Sequence, residues 1–296
     1  MSSNHDSEHQ LNLEIAGISL SIQSFIHWDE KPEFLPFIKK AELPDFLIRF
    51  QQTDRLPMLP SEVLYEDACY RVHPDGQGGY IRSFFDAPRD MTPYAVTEED
   101  YAYGRIQILY LPKGAHCVSQ VHNSFFHIGF EKILMYKKRL CLHASCVDTQ
   151  YGGLLFSGPS GIGKSTQSEL WCRYRGAQLI NGDRPILSKD DSGWRAWGSP
   201  YAGSSRCHIN KSCPVRAIIM LEKAENCSIT RLSMPDAFRA VWSGLTVYGW
   251  DKWFVEEAVN LAMELIESVP VYRFSCTPDK RSVEVLESEI KGGCRK

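Results

Sequence analysis

Residues Gly158-Pro159-Ser160-Gly161-Ile162-Gly163-Lys164-Ser165-Thr166 spell GxxxxGK[ST], and their flanks decide how the second half of the chain folds. Leu154-Leu155-Phe156 read as a short buried strand, and Gln167 to Tyr174 run without a breaker until Gly176, a helix stop. A strand, a glycine-rich turn and a helix start, in that order, make an anion site. Glycines let the backbone wrap a polyphosphate, while successive N–H groups and the helix dipole supply positive potential. The stretch therefore reads as a Walker A phosphate-binding loop (P-loop) for a nucleoside triphosphate. Lys164 is then the point charge on the β/γ-phosphates, and the Ser165 hydroxyl is a ligand for Mg²⁺.

Upstream, Leu142-His143-Ala144-Ser145-Cys146-Val147-Asp148 sets His143 fifteen residues before Gly158. It falls within an expected strand, Leu140 to Val147, paired with the one entering the loop. Downstream, Leu179-Ile180-Asn181-Gly182-Asp183-Arg184-Pro185 ends a strand in Asp183, nineteen residues after Lys164. One helix and one strand fill that interval, so Asp183 should return to the carboxyl edge of the sheet beside the phosphates. There a carboxylate can hold Mg²⁺ or accept a proton from an attacking hydroxyl. Gly198 to Arg206 (GSPYAGSSR) is a loop by composition.

Further out, Ala217 to Leu221 is a continuous apolar run suited to a fully buried strand. Phe254 to Ile266 repeats at helical spacing up to Pro270, Val271 to Phe274 is a strand, and Thr277-Pro278 caps a last helix through Ile290, stopped by Gly292-Gly293. On the N-terminal side, Phe125, Phe126, Gly129, Phe130, Ile133, Leu134 and Lys137 suit one amphipathic helix capped by Asn123 or Ser124. The earlier residues change period. Leu11, Leu13 and Ile15, then Ile18, Leu20 and Ile22, alternate about Gly17 as a β-hairpin. Strands follow at Phe46–Phe50, Cys69–Val72, Tyr80–Phe84 and Arg105–Tyr110. The chain thus divides into a disordered start (1–10), a β-rich N-terminal domain (11–122) and an α/β domain carrying the loop (123–296). Phe84 and Phe85 read as core, and Trp242, Trp250 and Trp253 as packing residues.

Composition narrows the function classes. Of 296 residues, 23% are charged and the net charge is −3, which gives neither a basic footprint for nucleic acid nor a polybasic membrane patch. No apolar run reaches membrane-span length, and the polar start lacks a signal-peptide core. Ten cysteines without a CxxC pair point to free thiols in a reducing cytoplasm. Cys207, His208, Cys213 and Cys227 match no zinc spacing. A homo-oligomer stays open.

His-x(14)-GxSGxGKS followed by a short helix and an LIxxD strand resembles the catalytic domain of HPr kinase/phosphorylase. More distantly it is similar to the nucleotide site of phosphoenolpyruvate carboxykinase. The segments HASCVD, GPSGIGKSTQSELW, LINGDRP and GSPYAGSS are closer still to bacterial HPr-kinase-like proteins, some of them peptide serine kinases associated with modified-peptide biosynthesis. The resemblance covers about residues 123–290. It implies an HPr-kinase/carboxykinase-like P-loop fold that binds ATP with Mg²⁺ on residues 158–166. Asp183 would act at the metal and the nucleophile, supported by His143. Ser204, Ser205 and Arg206 become a candidate wall for substrate or phosphate, with Arg206 as a transition-state cation.

The implied reaction is transfer of the γ-phosphoryl group to a hydroxyl, such as a serine of a peptide or protein or a small-molecule hydroxyl. One departure bears on it. HPr kinases end the second strand in two adjacent aspartates, whereas this chain has Gly182-Asp183-Arg184. A single carboxylate then serves metal and base, or His143 takes the base role. The HPr-docking segment is not recognisable, so HPr is not the expected acceptor. The alternatives are a non-catalytic ATP-binding regulatory or assembly module of a peptide-modification pathway and a carboxykinase-like lyase.

Overall fold

The computed structural model describes residues 9–28, 31–40, 43–87 and 90–292. Among them the chain is mixed α/β, with two sheets and seven α-helices. It separates into two compact units, residues 1–133 and 134–296.

The first unit contains β1 (His9–Ile15), β2 (Ile18–Ser24), β3 (Phe46–Gln52), β4 (Tyr65–Glu66), β5 (Tyr70–Pro74), β6 (Tyr80–Phe84), β7 (Ala95–Asp100) and β8 (Arg105–Tyr110). They form one sheet in the order β1-β2-β3-β8-β7-β6-β5-β4. Alternation places Leu13, Ile15, Leu20, Ile22, Ile48, Phe50, Ile106 and Ile108 in the core, and Phe84 and Phe85 are buried as expected. The expected disordered start is shorter on its described side, because His9 and Gln10 already pair with Ser24 and Gln23; residues 1–8 lie outside the described residues.

Strand β7 had no sequence signal, since its second half is Glu98-Glu99-Asp100. Glu99 is nevertheless buried, because Arg82 of β6 meets its carboxylate and both side chains are almost wholly covered, at 1% and 2% exposure. The other two nitrogens of Arg82 donate to Phe126 O (2.8 Å) and His127 O (2.7 Å). Those carbonyls end α2 (Val121–Ile128), which follows the short α1 (Ala115–Val118). A cation thus satisfies helix-end carbonyls that have no partner within the helix. The single expected helix is two, because Gly129 adopts φ 64° and closes α2 before α3 (Phe130–Tyr136) begins. Neither expected cap is used: Gln120 is the N-cap residue, and Ser124 Oγ donates to the Val118 and Gln120 carbonyls.

The second unit adds β9 (Arg139–Cys141), β10 (Ala144–Thr149), β11 (Gly152–Ser157), α4 (Lys164–Arg175), β12 (Gln178–Asn181), β13 (Ile186–Asp190), β14 (Gly193–Trp197) and β15 (Ser212–Lys223). It is completed by β16 (Ser228–Arg231), α5 (Met234–Trp242), α6 (Lys252–Ser268), β17 (Val271–Cys276) and α7 (Lys280–Gly292). The sheet runs β12-β10-β11-β15-β14-β13-β9, with β17 on β15 and β16 on β17. Strand β15 is parallel to both β11 and β17.

Both faces of this sheet are covered, which is why its central strands are apolar without alternation. Leu154, Phe156, Ala217, Ile219 and Leu221 pack with Leu170 and Trp171 of α4 and Val283, Leu286 and Ile290 of α7. Leu155 and Ile218 point the other way, into Ala237 and Val241 of α5 and Phe254, Ala258, Leu261 and Leu265 of α6. Trp242, Trp250 and Trp253 pack at the margin of that second core. Helix α7 braces α4 through polar contacts as well. Buried Gln167 donates to Thr277 O (3.2 Å) and accepts from Ser282 Oγ (3.0 Å). Arg175 meets Glu287 at 2.8 Å and, with Tyr151 and Lys291, holds that carboxyl at about 2. The last helix starts from Asp279, whose carboxylate accepts from Arg281 N, and not from Thr277-Pro278. It continues to Gly292, and Gly293 lies outside the described residues.

Candidate functional site

The loop between β11 and α4 has the backbone its glycines predict. Gly158 (φ 139°) and Gly163 (φ 119°, the N-cap of α4) occupy conformations closed to other residues. The helix begins at Lys164, three residues earlier than the sequence suggests. Lys164 Nζ donates back to Gly158 O (2.9 Å) and Pro159 O (3.3 Å). Burial, partly offset by the Asp183 charge, draws its pKa down from the usual lysine value.

The expected strand Leu140–Val147 is broken, and the break holds His143. Strand β9 pairs with β13, whereas β10 pairs with β11 and β12, so the chain changes neighbours at Leu142-His143. His143 is therefore not on the strand beside the loop but in the bend before it. Its backbone N–H donates to Gly244 O (2.8 Å), and its carbonyl accepts from Ser157 Oγ (2.9 Å). Leu142 and Leu245 form an isolated bridge, so the segment after α5 fixes the far side of this bend.

Asp183 follows β12. Its carbonyl accepts from Ala144 N (3.0 Å), and its carboxylate Oδ1 lies 3.5 Å from His143 Nε2. Both side chains are about one-third exposed, at 33% and 32%. Burial first, and then the Lys164 charge, lowers the His143 pKa; Asp183 opposes this and Arg184 adds to it. The imidazole is thus held neutral near pH 7, in the form that can take a proton. The structure brings His143 and Asp183 to 3.5 Å, with the Lys164 charge acting on both. Arg206 does not join them, being exposed at the end of a 3₁₀ turn, Gly203–Ser205, without an ion pair among the described residues. The cation beside the acid is Arg184, whose Nε is 3.8 Å from Asp183 Oδ2 and whose Nη1 donates to Thr246 Oγ1 at 2.5 Å.

Asn181, which sequence reasoning passed over, shapes the acidic turn. Fully buried, it accepts from Asp183 N (2.9 Å) and Arg184 N (2.7 Å) on Oδ1, while its amide donates to Tyr201 O (2.9 Å) and Ser199 O (3.3 Å). The segment 198–206 is therefore tied to the site through its backbone and the buried Ser199 hydroxyl, which donates to Arg184 O (2.7 Å). A Cβ on Gly203 would stand 2.9 Å from Asp183 Cβ, and one on Gly182 would stand 2.2 Å from Ser205 Oγ. Ser205 itself donates to Ala202 O (2.5 Å); the side chain of Ser204 lies outside the described residues. A cleft of about 440 Å³ opens here, lined by Ser165, Ser168, Glu169, Gly182 and Ser205 among others.

The donor set suits a hard cation. Ser165 and Gly182 share the cleft wall, the Asp183 carboxylate follows directly, and among the described residues its oxygens have only the long contacts to His143 and Arg184. Oxygen ligands of this kind, completed by water and phosphate, are what Mg²⁺ takes. Arg184 was legible only as a neighbour of the acid, and the Gly244–Thr246 wall had no sequence signal.

No family model matches the chain, and no curated protein does. Among solved structures the chain is similar to the HPr(Ser) kinase/phosphatase from Coxiella burnetii, at 16% identity and a TM-score of 0.34, over 53% of this chain and 99% of that one. The likeness is distant. Among the described residues no helix is long and apolar enough to cross a membrane.

Proposed function

We propose that the second unit is an ATP-dependent phosphotransferase of the HPr-kinase-like type, acting on a hydroxyl of a peptide, protein or small molecule in the cytoplasm. The observation that carries this reading is the convergence of His143 and Asp183, 3.5 Å apart, on the helix start that presents Lys164. A loop that only bound Mg-nucleotide would need the carboxylate for the metal but no neutral imidazole beside it. Backbone N–H groups of Pro159 to Thr166 and the Lys164 ammonium neutralise the polyphosphate. Ser165 and Asp183 would hold Mg²⁺, which when bound supplies charge neutralisation at the β- and γ-phosphates. The acceptor oxygen attacks the γ-phosphorus in line, the bond from phosphorus to the β,γ-bridging oxygen breaks, and ADP departs with that electron pair. The hydroxyl proton passes to Asp183 or His143.

The test is transfer of label from [γ-³²P]ATP to serine-bearing peptides. Asp183→Asn is expected to abolish transfer while leaving ATP affinity within a fewfold of wild type. An unlabelled acceptor pool with the wild-type protein, alongside tight ATP binding, would instead select the non-catalytic module. That second reading draws on the single acid flanked by Arg184, where HPr kinases carry two aspartates.

The His143 shift fixes a pH expectation. Its pKa lies below the usual value of about 6.5, so the active neutral form persists on acidification past that point and is lost only at lower pH. The pH–rate profile should stay flat through about 6.5 and fall below it, and His143→Gln should remove that acid limb. Superimposable profiles would exclude His143 as the base.

A further inference from the structure

We propose a transition-metal site in the first unit, formed by Asp86, His116 and Cys117 and suited to Zn²⁺. The ligand atoms of these three residues lie within 4.8 Å of one another. Cys117 Sγ is 3.3 Å from His116 Nε2 and 3.8 Å from Asp86 Oδ1. In a tetrahedral zinc centre with metal–sulfur bonds of about 2.3 Å and metal–nitrogen or metal–oxygen bonds of about 2.0–2.1 Å, ligand atoms stand roughly 3.3–3.6 Å apart. The sulfur is therefore already near that spacing from both partners, and the imidazole and carboxylate stand within 4.8 Å of each other.

The histidine is oriented as a metal ligand requires. His116 Nδ1 lies 2.9 Å from Lys113 O, and a carbonyl only accepts, so Nδ1 carries a proton and Nε2, 3.3 Å from the Cys117 sulfur, is the nitrogen left to ligate. A backbone carbonyl on the far nitrogen is the usual device for orienting a ligating imidazole.

Topology explains the convergence. Asp86 follows β6, and His116 and Cys117 follow β8, the two strands that flank β7. The Phe85 N–H next to Asp86 is tied to Cys69 O at 2.8 Å, which anchors that loop on the sheet. Sulfur, carboxylate and imidazole groups brought within 4.8 Å of one another form a donor set that a divalent cation can take. Thiolate and imidazole favour zinc over Mg²⁺ or Ca²⁺. Loading moves the Cys117 thiol proton to solvent, and water completes the fourth position. The ion would staple the loop after β6 to helix α1, thirty residues further along the sequence, a role separate from the phosphate chemistry of the second unit.

Metal-free full-length protein titrated with Co²⁺ tests the assignment. The expected result is a thiolate-to-cobalt charge-transfer band that saturates near equimolar metal and is displaced by Zn²⁺. Zinc should also raise the thermal midpoint of the first unit. Cys117→Ser should lose the band, and His116→Ala should weaken binding by more than the roughly 10–100-fold that loss of a second-shell partner costs. Cys69→Ser should keep both band and affinity. The proposal is overturned if the wild type shows no band, or if Cys117→Ser and His116→Ala bind Zn²⁺ as the wild type does.

Discussion

Lys164→Ala is expected to lower ATP-dependent transfer by about 10³-fold or more while the second unit stays folded, because phosphoryl transfer depends on charge neutralisation that a single cation or donor supplies at that scale. The side chain is half-buried and bonded only to Gly158 and Pro159 carbonyls among the described contacts, so its removal leaves no core cavity. Nucleotide affinity should fall in the same variant, whereas Asp183→Asn is expected to spare it. Parallel measurements of binding and turnover on the two variants therefore separate the phosphate-holding role from the proton-accepting one. Turnover at the wild-type rate in Lys164→Ala would dismiss the loop as a nucleotide site altogether.

Arg82→Met is expected to destabilise the first unit by about 3–5 kcal/mol, since truncating one partner leaves a buried charge uncompensated. The magnitude follows from the setting. Both side chains of the pair are almost fully covered, the remaining cation near Glu99 is Lys132 at 3.9 Å, and the variant also strips two donors from the end of α2. Against a typical domain stability of about 5–15 kcal/mol this is severe. Hydrogen exchange of amides in β6, β7 and β8 would read it without interference from the second unit. The double variant Arg82→Met/Glu99→Met should recover only part of the loss, because the buried carboxylate goes with its partner but Lys132 loses its contact with Glu99. An unchanged exchange pattern in the single variant would mean that the pair contributes nothing.

The region from Leu154 to Asp183 was readable because its rules are local. Apolar runs, a glycine signature and a helix stop each act within a few residues, and together they order β11, α4 and β12. What escaped was set by partners distant in sequence. Glu99 looks unlike a strand residue until Arg82 is opposite it. The change of pairing at His143 depends on β13 and β12, which arrive some forty residues later. Asn181 reads as an ordinary strand end, and only Ser199 and Tyr201 reveal it as the clamp on the acidic turn. Arg184 and Arg206 are equally plausible cations by spacing; the turn geometry brings the first to Asp183 and leaves the second exposed. The Asp86, His116 and Cys117 cluster likewise lacks a recognisable ligand spacing because a loop and the distant helix α1 contribute to it.

The bracing of α4 by α7 also bears on vectorial synthesis. Gln167 waits for Thr277, 110 residues further along, and Arg175 for Glu287, 112 residues further. At roughly 5–20 residues per second this is a delay on the order of 5–20 s. The helix that presents Lys164 leaves the ribosome long before its buried polar face is satisfied, so nucleotide affinity should emerge late, and half-made chains should not sequester ATP.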